Sequence, residues 1–120
     1  MKKIMLVDDV EISNFIMKKM ISKVSGDYEI VDYTFPELAL AELADHNPDI
    51  IFLDLNMPMI NGWEFLAHLQ ENNLKYKIYI LTSSTSQLDV QKSKNYENVK
   101  GFLVKPINIT ELADILQTVL

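Results

Sequence analysis

Ile50-Ile51-Phe52-Leu53-Asp54-Leu55-Asn56-Met57-Pro58 is the stretch around which the rest of this 120-residue chain is read. Its opening run of four apolar residues, branched and aromatic types among them, predicts a short strand buried on both faces. The run ends on the carboxylate of Asp54, after which Asn56 and Pro58 halt the strand. A carboxylate at the C-terminal end of a buried parallel strand lies where open α/β sheets keep their ligand sites. Two other stretches lead to the same edge: Ile4-Met5-Leu6-Val7 running into Asp8-Asp9, and Leu103-Val104 running into Lys105-Pro106.

Outward from that strand, the chain alternates between the two periods of regular structure. Strands are expected at Lys3 to Val7, Tyr28 to Tyr33, Ile78 to Leu81 and Phe102 to Val104. A first helix over Glu11 to Val24 carries Ile12, Phe15, Ile16, Met20 and Val24 at helical spacing, with Gly26 as its left-handed cap. Pro36 to Ala44 reads as a second helix, Pro36 being suited to a first turn. Trp63 to Asn72 is a third, with Phe65, Leu66 and Leu69 apolar, following the Gly62 break. Gln87 to Ser93 is a weak fourth, its clear anchors being Leu88 and Val90. The last helix starts near Asn108, which can cap it with Glu111 three residues on, and shows the stripe Ile109, Leu112, Ile115, Leu116 and Val119. Five βα units with short connections predict one α/β domain over residues 1–120, a doubly wound parallel sheet with helices on both faces. At this length the flavodoxin-like strand order 2-1-3-4-5 is expected, which brings strands one and three together.

Composition narrows the function. Hydrophobic residues at 48% and charged ones at 23% suit a globular domain with its own core. There is no cysteine, so disulfides, thiolate metal sites and cysteine nucleophiles are excluded. Net charge is −6 and every one of the 11 basic residues is lysine, so no guanidinium is available for bidentate contacts to phosphate or guanine. Both features argue against nucleic-acid binding. The apolar run after Met1-Lys2-Lys3 is too short for a secretory leader, and nothing approaches a membrane span, so the cytoplasm is the expected location.

In that topology Asp8, Asp9 and Asp54 gather at one end of the sheet, with Thr82 and Lys105 beside them. Three neighbouring carboxylates need a counter-charge, and carboxylate, carbonyl and water oxygens suit Mg²⁺. Lys105 adds a point charge for a phosphate oxygen, while Thr82 and Ser83 add a hydroxyl and a backbone N–H. Metal, ammonium, hydroxyl and one carboxylate nucleophile are the parts phosphoryl transfer needs. Taken singly, each has an ordinary reading: Asp9 as a helix cap, Asp54 as a turn former, Thr82 in a solvated loop, Lys105 at the surface. Their joint placement at the ends of strands one, three, four and five is what argues for a site.

With Val7-Asp8-Asp9, Leu53-Asp54-Leu55-Asn56-Met57-Pro58, Asn61-Gly62, Leu81-Thr82-Ser83 and Gly101-Phe102-Leu103-Val104-Lys105-Pro106 in view, the whole chain resembles the receiver domain of two-component response regulators, of the chemotaxis-regulator-like kind. The resemblance implies that Asp54 accepts a phosphoryl group from a histidine kinase or histidine phosphotransfer protein. It implies that Asp9, Asp54 and the carbonyl of Asn56 bind Mg²⁺, Asp8 acting mainly through water. Thr82 and Lys105 would contact phosphoryl oxygens, and Lys105-Pro106 would be cis. Thr82 and Phe102 would form the switch pair, moving the surface of helix four, strand five and helix five for an unknown downstream protein. Phe102 lacks the hydroxyl of the tyrosine frequent there. Asn56 and Ser84 match positions that tune dephosphorylation in that family, and the resemblance also allows a homodimer through the helix four to helix five face. Such a domain assists its own phosphorylation without turning over an external substrate, so it is not expected to be an enzyme.

A further departure concerns the surface: over Ser93 to Lys100, Asn95, Tyr96, Glu97 and Asn98 stand where small residues are usual in the family, which bears on the end of helix four. Trp63, just after Gly62, is expected to be partly exposed and is assigned no ligand. Among other readings, a flavin or nucleotide site would need a glycine-bearing first loop, and Asp8-Asp9 offers none. A phosphate hydrolase with an Asp nucleophile would want a second acid two residues after Asp54, where Asn56 stands. A receiver that binds its partner unphosphorylated ranks below both, since the acidic set is complete.

Overall fold

The computed structural model describes residues 1–57 and 59–120, so the expected strand-stopping role of Pro58 lies outside the described residues. The elements are β1 (Lys2–Val7), α1 (Glu11–Val24), β2 (Tyr28–Tyr33), α2 (Pro36–His46), β3 (Ile50–Leu53), α3 (Gly62–Glu71), β4 (Ile78–Thr82), α4 (Gln87–Ser93), β5 (Val99–Val104) and α5 (Ile109–Val119). All strand pairs are parallel, in the predicted order β2-β1-β3-β4-β5. The order reverses between β1 and β3, and right-handed crossovers then place helices on both faces.

Strand alternation divides the core in two. Ile4, Leu6, Ile50 and Phe52 pack with Met17 and Ile21 of α1 and with Leu112 and Leu116 of α5. Met5, Val7, Ile51 and Leu53 pack on the other face with Ala39 and Leu43 of α2 and with Phe65, Leu66 and Leu69 of α3. β3 is fully buried because it carries apolar side chains to both layers, each such burial stabilising by about 2 kcal/mol. Gly101 in β5 is set by contact: a Cβ there would stand 2.7 Å from the ring of Tyr79 on the neighbouring strand.

Several boundaries and faces differ from the sequence reading. α1 buries Asn14, Met17 and Ile21, whereas Ile12, Phe15 and Ile16 are more than half exposed. The helix is turned away from its most apolar stripe because Asn14 Nδ2 reaches the carbonyls of Asp8 and Tyr33, and Lys18 pairs with Asp32 at 2.7 Å. Gly26 is not a left-handed cap. α1 ends instead at an extended Ser25, whose hydroxyl accepts the Asp27 N–H and so builds the turn without a positive φ. α2 runs on to His46 because Asn47, at φ 44°, supplies the left-handed residue that closes it. α3 begins one residue earlier than expected, at Gly62, with Asn61 and Glu64 forming a reciprocal capping box. β5 begins three residues earlier than its apolar run, since Val99 pairs with Ile78 despite the intervening Lys100 and Gly101. In α4 Leu88 is exposed and Val90 half-buried, leaving Ser93 as the buried residue of that helix.

Candidate functional site

β1 and β3 run side by side, with Val7 opposite Leu53, so the residues that follow them emerge together. Asp54 is carried one step further by its N–H, which donates to Val7 O at 3.0 Å. The result is that Asp8, Asp9 and Asp54 each offer a carboxylate oxygen within 4.8 Å of the others. Asp8 and Asp54 are buried and Asp9 is half-buried.

Lys105 reaches this cluster from the end of β5. Its backbone N–H donates to Thr82 O at 2.7 Å, which fixes β5 against β4 at the sheet edge, and Lys105-Pro106 is cis as the resemblance implied. The Lys105 ammonium lies 2.5 Å from Asp8 Oδ2 and 3.7 Å from Asp54 Oδ2. Thr82 is fully buried, and its Oγ1 accepts from Asn56 Nδ2 at 3.4 Å and from Ser84 N at 3.3 Å. The five predicted side chains are therefore in one place, with Asn56 joining them through Thr82 and through its own N–H to Asp54 Oδ1. Phe102 lies two residues before the register partner of Thr82, half-buried against the α2–α3 side of the core.

The electrostatics follow from burial. Loss of water pushes the Asp54 carboxyl above its ordinary value; Lys105 pulls it down, and the negative charges of Asp8 and Asp9 push it up again. One ammonium faces three carboxylates, and Asp9 Oδ1 is buried without a hydrogen-bond partner among the described residues. An all-oxygen set with an unanswered carboxylate oxygen fits a hard divalent cation.

Two contributors escaped the sequence reading. Asn14 ties α1 to the ends of β1 and β2, holding the Asp8 backbone in place, and Ser13 Oγ lies 3.5 Å from the Lys105 ammonium. The 14–17–21 spacing of Asn14 with Met17 and Ile21 is a helical face, but a polar residue on it carries no apolar signal. Ser84 also does more than border the site: its hydroxyl donates to Asp89 Oδ2 of α4 at 2.6 Å. His46, beyond the expected end of the second helix at Ala44, is the last residue of α2 and lies edge-on to Tyr33.

The sequence profile of the response regulator receiver domain matches residues 4–117. This chain belongs to the receiver domain family. The receiver is 31% identical over 120 residues to a probable transcriptional regulator, ycf29, of Pyropia yezoensis, covering 98% of this chain and 53% of that protein. It thus spans about half the length of that relative. Among solved structures, chemotaxis protein CheY4 of Vibrio cholerae superposes with a TM-score of 0.85 at 32% identity, covering 100% of this chain and 99% of that one. Response regulator TrrA of Thermotoga maritima, solved in complex with Mg²⁺-BeF, superposes at 0.83 with 27% identity and full coverage of both chains. Among the described residues, no helix is long and apolar enough to cross a membrane.

Proposed function

We propose that this receiver is a phosphoacceptor switch that takes a phosphoryl group onto Asp54 from a histidine kinase or histidine phosphotransfer protein. The observation that carries the reading is the convergence of Asp8, Asp9, Asp54 and Lys105 at one sheet edge. An Asp54 carboxylate oxygen forms the new bond to phosphorus. The bond from phosphorus to the donor imidazole nitrogen breaks, and the imidazole leaves with the electron pair and takes up a proton. Asp9, Asp54 and the Asn56 carbonyl would hold Mg²⁺, with Asp8 acting through water. The ion supplies charge neutralisation for the phosphoryl oxygens. Lys105 offsets charge from the other side, and the Thr82 hydroxyl, which here accepts from Ser84 N and Asn56 Nδ2, would turn to contact a phosphoryl oxygen.

A protein donor is favoured by the surface beside the site. Ile12, Phe15 and Ile16 are each more than half exposed on α1, which begins two residues after Asp9, and exposed apolar groups of this kind mark contact surfaces. The signal then leaves through the α4–β5–α5 face by contact with a downstream protein in the cytoplasm. No external substrate is turned over. Neither nucleic acid nor membrane is a partner of an arginine-free domain of net charge −6.

Intact mass after incubation with Mg²⁺ and acetyl phosphate tests this directly. One phosphoryl adduct on the wild type, absent from Asp54→Asn and lost without Mg²⁺, is the expected result. An adduct of equal yield on Asp54→Asn would move the acceptor elsewhere.

A further inference from the structure

α4 is poorly held by its own side chains. Ser93 is its buried residue, Leu88 is 76% exposed, and the helix has seven residues, whereas α3 buries Gly62, Phe65, Leu66 and Leu69. Its N-terminal end is tied by polar contacts, with Ser86 accepting from Asp89 N and Ser84 donating to the Asp89 carboxylate. At the other end the Trp63 indole is shared. The Tyr96 ring stacks on it at 5.9 Å between centroids and 30° between planes, and Lys92 Nζ stands 4.6 Å over the Trp63 ring.

Trp63 is in turn fixed to the backbone of Asp54. It follows Gly62, whose N–H donates to Leu55 O at 3.0 Å. Gly62 also packs so closely that a Cβ would stand 2.6 Å from Asp54 O. Asn61 and Glu64 lock the same turn of α3. A shift of the Asp54–Leu55 backbone is therefore a shift of Trp63, and so of the far end of α4.

We propose that Trp63 and Tyr96 are positioning residues that couple Asp54 to the C-terminal end of α4, separately from Thr82 and Phe102, and that their stack holds the domain in its unphosphorylated arrangement. This rests on Asp54 being the phosphoacceptor. In the arrangement seen here the Thr82 hydroxyl is engaged by Ser84 N and Asn56 Nδ2. Whatever stabilises that arrangement opposes phosphorylation to the same degree, because the two equilibria are linked. The stack joins Tyr96, in the loop after α4 where small residues are usual in the family, to Trp63 at the start of α3.

The test compares the full chain with Tyr96→Leu, which removes the ring, and Tyr96→Phe, which keeps it. Two quantities are read: amide hydrogen exchange of residues 87–98, and the rate at which acetyl phosphate with Mg²⁺ adds a phosphoryl group by intact mass. Tyr96→Leu is expected to raise both by about fivefold, the weight of one aromatic pair, with exchange in β1 and β3 unchanged. Tyr96→Phe is expected to match the wild type in both. The chain's single tryptophan gives an independent signal, its emission shifting with adduct formation in the wild type but not in Tyr96→Leu. Faster exchange with an unchanged phosphorylation rate would make the stack purely structural and overturn the coupling. Unchanged exchange would overturn it as well. Absence of adduct from the wild type would instead overturn the reading of Asp54, and the coupling with it.

Discussion

Lys105 stands nearer to Asp8 than to Asp54: its ammonium is 2.5 Å from Asp8 Oδ2 and 3.7 Å from Asp54 Oδ2. One side of the Asp54 carboxylate is thus left to a lysine at the edge of contact, and the acidic cluster as a whole carries more charge than Lys105 can answer. A bound divalent cation and Lys105 therefore neutralise the same excess from two directions.

Lys105→Ala is expected to lower stability at neutral pH by about 1–2 kcal/mol, between the values for exposed and fully buried ion pairs. Mg²⁺ should then raise the melting temperature of the variant more than that of the wild type, since the ion relieves the greater repulsion. Thermal melts with and without Mg²⁺ check this. An equal Mg²⁺ increment in both proteins would show that Lys105 and the cation act on separate charges.

The Asp54 carboxyl is held above its ordinary value of 3.8, chiefly by burial. The folded protein then binds this proton more tightly than the unfolded chain, so this group's contribution to stability falls as pH rises from 3.8 through the raised folded value. Ionised Asp54 consequently destabilises the fold at pH 7, and Asp54→Asn is expected to melt higher there. The advantage of the variant should shrink as pH falls through that window, until both forms are neutral. Melting curves from neutral to acid pH test the sign; a variant that melts lower at pH 7 would contradict it.

The strand order and the meeting of Asp8, Asp9, Asp54, Thr82 and Lys105 were legible in the sequence because each follows from a short apolar run ending at a polar residue. Strand ends are local signals, and parallel topology at this length leaves few arrangements. The face of α1 was not legible. Its most apolar stripe, Ile12, Phe15 and Ile16, points to water, while the buried face is chosen by an amide, Asn14, whose two acceptors lie at the ends of different strands. Hydrophobic periodicity has no means of weighting a polar side chain that is satisfied only by tertiary contact. The joint between Trp63 and Tyr96 escaped for the same reason, since its two rings stand 33 positions apart and neither lies in an apolar run.

Asn14 gives that lesson an energetic form. Its amide donates to Asp8 O at 3.0 Å and to Tyr33 O at 3.2 Å, and the side chain is almost wholly buried. Asn14→Ala leaves the Asp8 carbonyl without its donor and opens space beneath the acidic cluster, a loss of about 2 kcal/mol. Phe15→Ala, one position along the same helix, should change stability by less than about 0.5 kcal/mol, since that ring is half exposed. Urea unfolding of both variants reads the contrast as a shift in midpoint at constant slope. Equal midpoints would mean that the amide does not hold α1 to the sheet.

Gly62 and Gly26 offer a paired test of backbone approach near Asp54. A Cβ on Gly62 would lie 2.6 Å from Asp54 O and 2.7 Å from Leu55 Cα, backbone atoms that cannot swing aside, whereas a Cβ on Gly26 meets nothing within 4 Å. Neither glycine has a positive φ, so the difference between them is contact and not conformation. Gly26→Ala is expected to be neutral or to stabilise by about 0.5 kcal/mol through the unfolded chain. Gly62→Ala must push α3 away from the end of β3, costing about 2 kcal/mol by the usual scale of overpacking. Because the displaced backbone carries Asp54 itself, the same variant should also weaken Mg²⁺ binding, measured as the cation concentration that half-saturates the change in Trp63 fluorescence. The two effects separate the explanations. Lost stability with unchanged Mg²⁺ binding would place the strain in α3 alone, and an unaffected protein would show that the turn at Gly62 has room the geometry denies.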